Sequence, residues 1–251
     1  MGSTFEIVCE IEPPTRPDIR HVRHQIGVLS PVAHAFLIPD NRIGRATVSS
    51  IAVAHEVTAM GGRGIACLNS RDRNLLGFQR DMLTAAAYGV HEFLFVHGDK
   101  PSAGTRSPDL TVRTMIAEAR SATYMRPRIG VAAGLRPFPS WKREADVVFA
   151  QMCFDVEALL RWRESAALTQ PVYAGVLVLA SAAMARRLSA TIPDLDIPPA
   201  LIDRVDADPR AGVDAACEQI ETLRDSGAFD GVHLVTVSRY REIAMTLEHR
   251  T

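Results

Sequence analysis

The chain has 251 residues, 47% of them hydrophobic, and a formal net charge of −1. That supports a substantial core in one large domain or two small ones, and the near-neutral balance gives no electrostatic reason to expect nucleic acid or an anionic membrane as partner. No apolar run approaches the ~18 residues of a membrane span.

The first strand is read in Phe5-Glu-Ile-Val-Cys-Glu-Ile-Glu-Pro-Pro14. Phe5, Ile7, Cys9 and Ile11 alternate with Glu6, Val8, Glu10 and Glu12, and Pro13-Pro14 ends the run. A helix is expected over 17–28, a strand over 33–38, and a helix over 44–60 closed by Gly61-Gly62. A third strand covers 63–68 and a long helix 72–88, with Gly89 as its C-terminal stop. The fourth strand, 92–96, ends in His97-Gly98-Asp99. A polar loop from Lys100 to Pro108 follows and is a candidate lid. Then come a helix over 110–122, a strand over 128–133, a short helical segment over 140–145, a strand over 147–152 and a helix over 156–167. The seventh strand covers 172–179. Helices over 182–190, 199–205 and 212–225 precede the eighth strand, 231–237, and a closing helix over 239–247.

Eight strands alternating with helices imply parallel strands with crossover helices, and the count favours a single closed (β/α)8 barrel over an open sheet. Neither a dinucleotide Gly-x-Gly-x-x-Gly nor a Gly-Lys-Ser/Thr phosphate loop is present. Cys9, Cys67, Cys153 and Cys217 form no Cys-x-x-Cys pair. They read as buried thiols of a reducing cytoplasm, with no metal site and no disulfide framework. The acidic N-terminus enters a strand directly, so a secretory leader is not expected. Met1-Gly2-Ser3 carries no weight.

In a parallel barrel the site lies at the C-terminal ends of the strands. Those ends carry Glu10 and Glu12, Asp40 and Asn41, Asn69 to Asn74, His97 and Asp99, Gln151 and Asp155, and Ser238 and Arg239. Some have ordinary explanations. Asp72 and Asp155 read as helix caps, His97 as a core histidine, and Arg239 as a partner of Glu242. Glu10, Asp99 and Gln151 are polar residues following apolar runs on three strands, so they can converge in the barrel mouth. The pattern does not decide whether Glu10 or Glu12 faces the interior.

These residues resemble those of the methylenetetrahydrofolate reductase family. The resemblance rests on Cys9-Glu10-Ile11-Glu12-Pro13-Pro14, on Cys67 to Leu83 with Arg71-Asp72-Arg73-Asn74 and Gln79, and on Gly98-Asp99-Lys100-Pro101. Gln151, Phe154, Asp155 and Glu157 extend it, as does Ser238-Arg239; the seventh strand, Ala174 to Val178, keeps the pattern loosely. The resemblance implies a (β/α)8 barrel that reduces 5,10-methylenetetrahydrofolate to 5-methyltetrahydrofolate, in one-carbon metabolism and methionine biosynthesis. It implies Glu10 as proton donor, Asp99 facing the pterin and its developing cation, Gln151 on the pterin ring, and Arg239 near the p-aminobenzoyl-glutamate end. For Glu10 to hold a proton near neutral pH, an apolar pocket would have to raise its pKa. An ionised Asp99 would stabilise the cation.

The departures concern the flavin. A Tyr-Pro-Glu-x-His-Pro segment expected after strand five is replaced by Gly134-Leu135-Arg136-Pro137-Phe138. Gly64 stands for a histidine, His97 for an arginine, and Leu37-Ile38-Pro39 for Thr-Tyr-Gly. Together they make the chain similar to the flavin-independent actinobacterial branch, which implies NADH or NADPH as direct hydride donor and no tightly bound FAD. Donor and acceptor would then stack about 3–3.5 Å apart. Asn41 and His97 are candidate contacts to the dinucleotide, and Arg42 and Arg45 candidates for its phosphates. Competing readings are an FAD-dependent reductase and a barrel that binds a folate or corrinoid without catalysis. A Schiff-base aldolase is disfavoured because the only lysines, Lys100 and Lys142, do not lie in strand cores. The expected partner is a small tetrahydrofolate derivative; oligomeric state is left open.

Overall fold

The computed structural model describes residues 4–100, 102–192 and 195–250. Pro101 of the Gly-Asp-Lys-Pro motif and of the candidate lid, and Met1-Gly2-Ser3, lie outside the described residues. The strands are β1 (Glu6–Glu10), β2 (Ala35–Ile38), β3 (Gly64–Asn69), β4 (Glu92–Val96), β5 (Arg128–Ala133), β6 (Val147–Met152), β7 (Val172–Leu177) and β8 (Gly231–Val235). They pair in parallel in chain order, and β8 closes on β1, so the expected (β/α)8 barrel is present.

The period-2 alternation sorts the strand residues. Ile7, Cys9 and Ile11 pack outward among helix residues such as Val22 and Ile26. Val8 packs inward with Leu37, Cys67, Leu94, Phe149 and Tyr173, filling the lumen. Gly130 and Gly231 make room for the two rings: a Cβ on Gly130 would come within 2.9 Å of Phe149, and one on Gly231 within 2.9 Å of Tyr173. The floor of the lumen is an ion-pair lattice. Arg63 Nη2 lies 2.6 Å from Glu6 Oε2, Arg128 Nη1 lies 3.2 Å from Glu92 Oε2, and Tyr173 Oη donates to Glu6 Oε2 at 2.5 Å.

The helices are α1 (Arg20–Leu29), α2 (Ser50–Ala59), α3 (Leu75–Ala87), α4 (Val112–Ser121), α5 (Val156–Ala166), α6 (Ala182–Thr191), α7 (Pro199–Ala207), α8 (Ala211–Asp225) and α9 (Tyr240–Arg250). Three starts differ from the sequence reading by three residues or more; α1, expected from Pro17, begins at Arg20. The helix expected from Gly44 begins only at Ser50, because Asn41, Ile43 and Gly44 all take positive φ and form a separate 3-10 turn, Arg42–Gly44. Asp72 does not cap α3; Asn74 does, accepting from Gly77 N at 2.8 Å. Asp155 caps α5 as expected, accepting from Ala158 N at 3.0 Å. Between β5 and β6 the chain makes only a 3-10 turn, Ser140–Glu144.

Candidate functional site

Glu10 is the last residue of β1, and its side chain, 12% exposed, shares the inward face with Val8. Its Oε2 lies 3.2 Å from His233 Nε2, and its Oε1 lies 3.6 Å from Arg42 Nη1. Glu12 is 58% exposed on the rim and meets Arg42 Nη1 at 3.1 Å. Glu10 is therefore the interior carboxylate. The expected upward pKa shift is not what the surroundings produce. Burial pushes the Glu10 carboxyl up, but His233, by close contact and charge, and then Arg42 together outweigh it and hold the group below its ordinary value.

His233, in the middle of β8, was not singled out from the sequence. Its Nε2 is buried and reaches ion-pair distance of Glu10 without hydrogen-bond alignment. The ring meets Phe149 edge-on at 6.0 Å, and Phe149 stacks on Tyr173 at 5.2 Å. A packed aromatic column thus fixes the imidazole beneath Glu10.

Arg42 sits on the turn after β2. Asn41 has φ 46°, Ile43 φ 58° and Gly44 φ 67°. For a β-branched residue such as Ile43 this is a strained backbone that needs support. Asp99 supplies part of it: its Oδ2 accepts from Ile43 N at 2.8 Å. Ser102 N and Oγ both donate to Gly44 O at 2.8 Å. The loop read as a lid is thereby tied down over the β2 turn, and Asp99 stands exposed at the mouth, beside the turn that carries Arg42. Gly98, at φ +88°, lets the chain turn into Asp99.

Behind this turn lies a buried polar frame. Asp40, 7% exposed, accepts from Asn69 N and Nδ2 and meets Arg73 Nη2 at 2.7 Å. Arg73 also pairs with Asp81 at 3.1 Å and donates to Asn69 O. Asn41, expected on the dinucleotide, is part of this frame: its Nδ2 donates to Asp72 Oδ2 at 3.2 Å and its Oδ1 accepts from Thr47 N at 3.3 Å. The Arg71–Asn74 run thus builds the rim.

Gln151, near the end of β6, is half-buried. Its Oε1 lies so close to Gly134, at the end of β5, that a Cβ there would approach within 3.3 Å. His97 is exposed, with Nδ1 3.4 Å from Ser70 Oγ. Arg239 is not brought to Glu10. It pairs with Glu242 at 3.0 Å, donates to Ala180 O at 3.1 Å, and lines a groove with Arg210 and Val213 of the α8 segment. Burial drives the Cys9 thiol up to about 12, so that sulfur serves packing and not chemistry.

Residues 142–250 match the family model of methylenetetrahydrofolate reductase. That span contains Gln151, His233 and Arg239 but neither Glu10 nor Asp99. No curated protein matches the sequence. Among solved structures, a Clostridium thermocellum protein that binds two copies of 5-methyl-5,6,7,8-tetrahydrofolic acid superposes with TM-score 0.69 at 12% identity, over 100% of this chain and 97% of that one. The EDTA monooxygenase of a Chelativorans species gives TM-score 0.58 at 9% identity, over 98% and 94%. Tryptophan synthase of M. tuberculosis gives 0.57 at 12%, over 99% and 93%. At these identities the likeness is one of fold.

Proposed function

We propose that the protein reduces 5,10-methylenetetrahydrofolate to 5-methyltetrahydrofolate, with NADH or NADPH as direct hydride donor and no bound flavin. The observation that carries this reading is the buried Glu10–His233 pair at the mouth of a barrel whose later strands match the reductase family model. The folate-binding Clostridium thermocellum protein of the same fold supports a folate as ligand. The crossing from β5 to β6 by a 3-10 turn, where the sequence departs from the flavin pattern, supports the flavin-free form.

The chemistry needs one proton and one hydride. Protonation of N10 breaks its bond to the bridging methylene and leaves a 5-iminium cation; hydride added to that carbon gives the N5-methyl group. Glu10 is the candidate donor of that proton, with His233 Nε2 3.2 Å from its carboxylate. His233 and then Arg42 hold the Glu10 pKa down against its burial; substrate that excludes water from the mouth strengthens the burial effect and so favours the protonated carboxyl. Asp99, a carboxylate at the rim, stabilises the iminium charge. Gln151 offers both a donor and an acceptor to the pterin edge. The dinucleotide, when bound, supplies the hydride.

The test is an absorbance spectrum of the purified protein from about 300 to 550 nm, followed by oxidation of NADH with methylenetetrahydrofolate and no added flavin; flavins absorb in that window and the reaction class needs no other chromophore. A colourless protein that oxidises NADH only with folate present is expected. A flavin spectrum, or turnover that requires FAD, would return the chain to the flavin-dependent mechanism. Folate binding without any turnover would leave a binding barrel.

A further inference from the structure

Among the described residues, four that are not glycine take positive φ: Asn41, Ile43, Ala167 and Val237. Asparagine tolerates the left-handed region, and Ala167 is the C-cap of α5, a usual place for it. Ile43 and Val237 are different. A β-branched side chain crowds the backbone at φ 58° or 50°, and such residues persist only where their surroundings hold them. Both follow strands that flank β1: Ile43 comes after β2 and Val237 after β8, and β1 ends in Glu10. The strain is thus gathered on either side of the interior carboxylate.

The two differ in what offsets that strain. Val237 is half-buried and packs against the cluster that contains Leu177, Leu179 and Val235. Ile43 is 68% exposed, so its side chain gains little from burial. Its support comes through the backbone: Asp99 Oδ2 accepts from Ile43 N, and Ser102 N and Oγ donate to Gly44 O. None of these bonds uses the isoleucine side chain, and asparagine or glycine would make them with less strain. The same turn has both types, at Asn41 and Gly44. A lone exposed isoleucine needs no explanation. One held in the left-handed region by bonds from another loop does.

The neighbours indicate what that side chain meets. Arg42, the preceding residue, lies 3.6 Å from Glu10 Oε1 and 3.1 Å from Glu12 Oε2, and the Asp99 carboxylate is bonded to Ile43 itself. The turn therefore brings an apolar branched side chain to the mouth beside a cation and a carboxylate. Polar groups recognise the edge of a flat heterocycle, and its faces need apolar contact. We propose that Ile43 is a substrate-binding residue whose side chain packs on the ring system of the bound folate, so that the apolar burial missing from the free protein is made in the complex. This rests on the reductase reading for the identity of the ligand.

The test compares Ile43→Asn and Ile43→Val with the parent in thermal unfolding, in calorimetric titration with 5-methyltetrahydrofolate and with NADH, and in steady-state turnover. Ile43→Asn suits positive φ, so it is expected to keep or raise the melting temperature. It should weaken 5-methyltetrahydrofolate about tenfold, the weight of an apolar group lost from a ligand contact, and raise KM for methylenetetrahydrofolate by a similar factor. NADH binding to the free protein should match the parent's. Ile43→Val, still β-branched and apolar, should keep the parent's melting temperature and most of its folate affinity. An Ile43→Asn variant that binds folate as the parent does overturns the inference. So does a destabilised one, because the isoleucine would then serve packing within the protein, and so does a loss confined to NADH. No binding of 5-methyltetrahydrofolate to the parent overturns it as well. If the reductase reading alone fails, 5-methyltetrahydrofolate binding still depends on Ile43 while methylenetetrahydrofolate is not reduced.

Discussion

His233 Nε2 lies 3.2 Å from Glu10 Oε2, with the two side chains 14% and 12% exposed. A carboxylate withdrawn from water with an imidazole at this distance owes its low pKa first to that neighbour, so removing the imidazole changes Glu10. Glu10→Gln removes the acid and is expected to lower kcat by about 10²- to 10⁴-fold, the usual weight of general acid catalysis. His233→Gln leaves the carboxylate but frees it from its largest opposing influence. The alkaline limb of the rate profile, where the general acid loses its proton, should then shift to higher pH while 5-methyltetrahydrofolate affinity changes little. Stopped-flow NADH oxidation across pH, with folate binding in parallel, measures both. Near-parental turnover in Glu10→Gln would sink the assignment.

Acid stability follows from the same carboxylates and from the floor. Glu6 and Glu10 both have folded pKa values below their ordinary 4.5. Burial opposes the shift in each, and the partners outweigh it: Tyr173 and Arg63 at Glu6, His233 and Arg42 at Glu10. A carboxyl whose folded pKa is depressed binds its proton more readily in the unfolded chain. Its contribution is therefore full above about pH 4.5 and is lost as pH falls through the lower folded value. Melting curves should be flat in this respect from neutral pH to about pH 5 and fall below it. Glu6→Gln should flatten the acid limb; an unchanged limb would mean that the floor lattice does not govern it.

The barrel was legible because its strands are short apolar runs between helical segments, and because a strand-ending acid such as Glu10 has no cheap place in an apolar core. Parity within β1 placed Glu10 and Glu12 alike with Val8, and only their exposures, 12% and 58%, show which of them lies inside. His233 was not legible. One histidine inside Gly-Val-His-Leu-Val reads as core, and its meaning depends on β8 closing on β1, with His233 opposite Val8. The Asn41–Gly44 turn was missed for a different reason. Ile43 is a poor candidate for positive φ, and only the bond from a remote loop, Asp99, supports it there. Asp72 looked like a cap from its position, but the short polar frame with Asn69 and Asn41 takes its carboxylate instead.

The rim frame should behave as a buried network. Arg73 and Asp40 are 12% and 7% exposed, and Asp40 receives Asn69 as well. Removing the cation leaves a buried carboxylate without its charge partner, which costs about 3–5 kcal/mol in such settings. Arg73→Met is expected to destabilise by that order in urea unfolding, with no change in slope. The paired change Asp40→Asn with Arg73→Met should recover much of the loss, because Asp40 is then neutral and Asp81 keeps Arg80 at 3.1 Å. A double variant no better than the single would show that the hydrogen bonds to Asn69, not the ion pair, carry the frame.

Gly98 and Gly89 separate backbone strain from a steric clash. Both have positive φ, +88° and +70°. A Cβ on Gly89 meets nothing within 4 Å, whereas one on Gly98 would lie 2.7 Å from Asn69 Cβ. Gly89→Ala should therefore cost only the left-handed penalty, about 1–2 kcal/mol, and leave catalysis alone. Gly98→Ala carries the same penalty and must also displace either Asn69, which organises Asp40 and Asp72, or the segment that delivers Asp99. Its expected signature is a larger loss of melting temperature together with a fall in kcat, since Asp99 leaves Ile43 N and with it the place the proposed mechanism gives it. Equal effects of the two substitutions on stability and turnover would mean that the β4 loop can shift freely, and Asp99 would then lose its place in the mechanism.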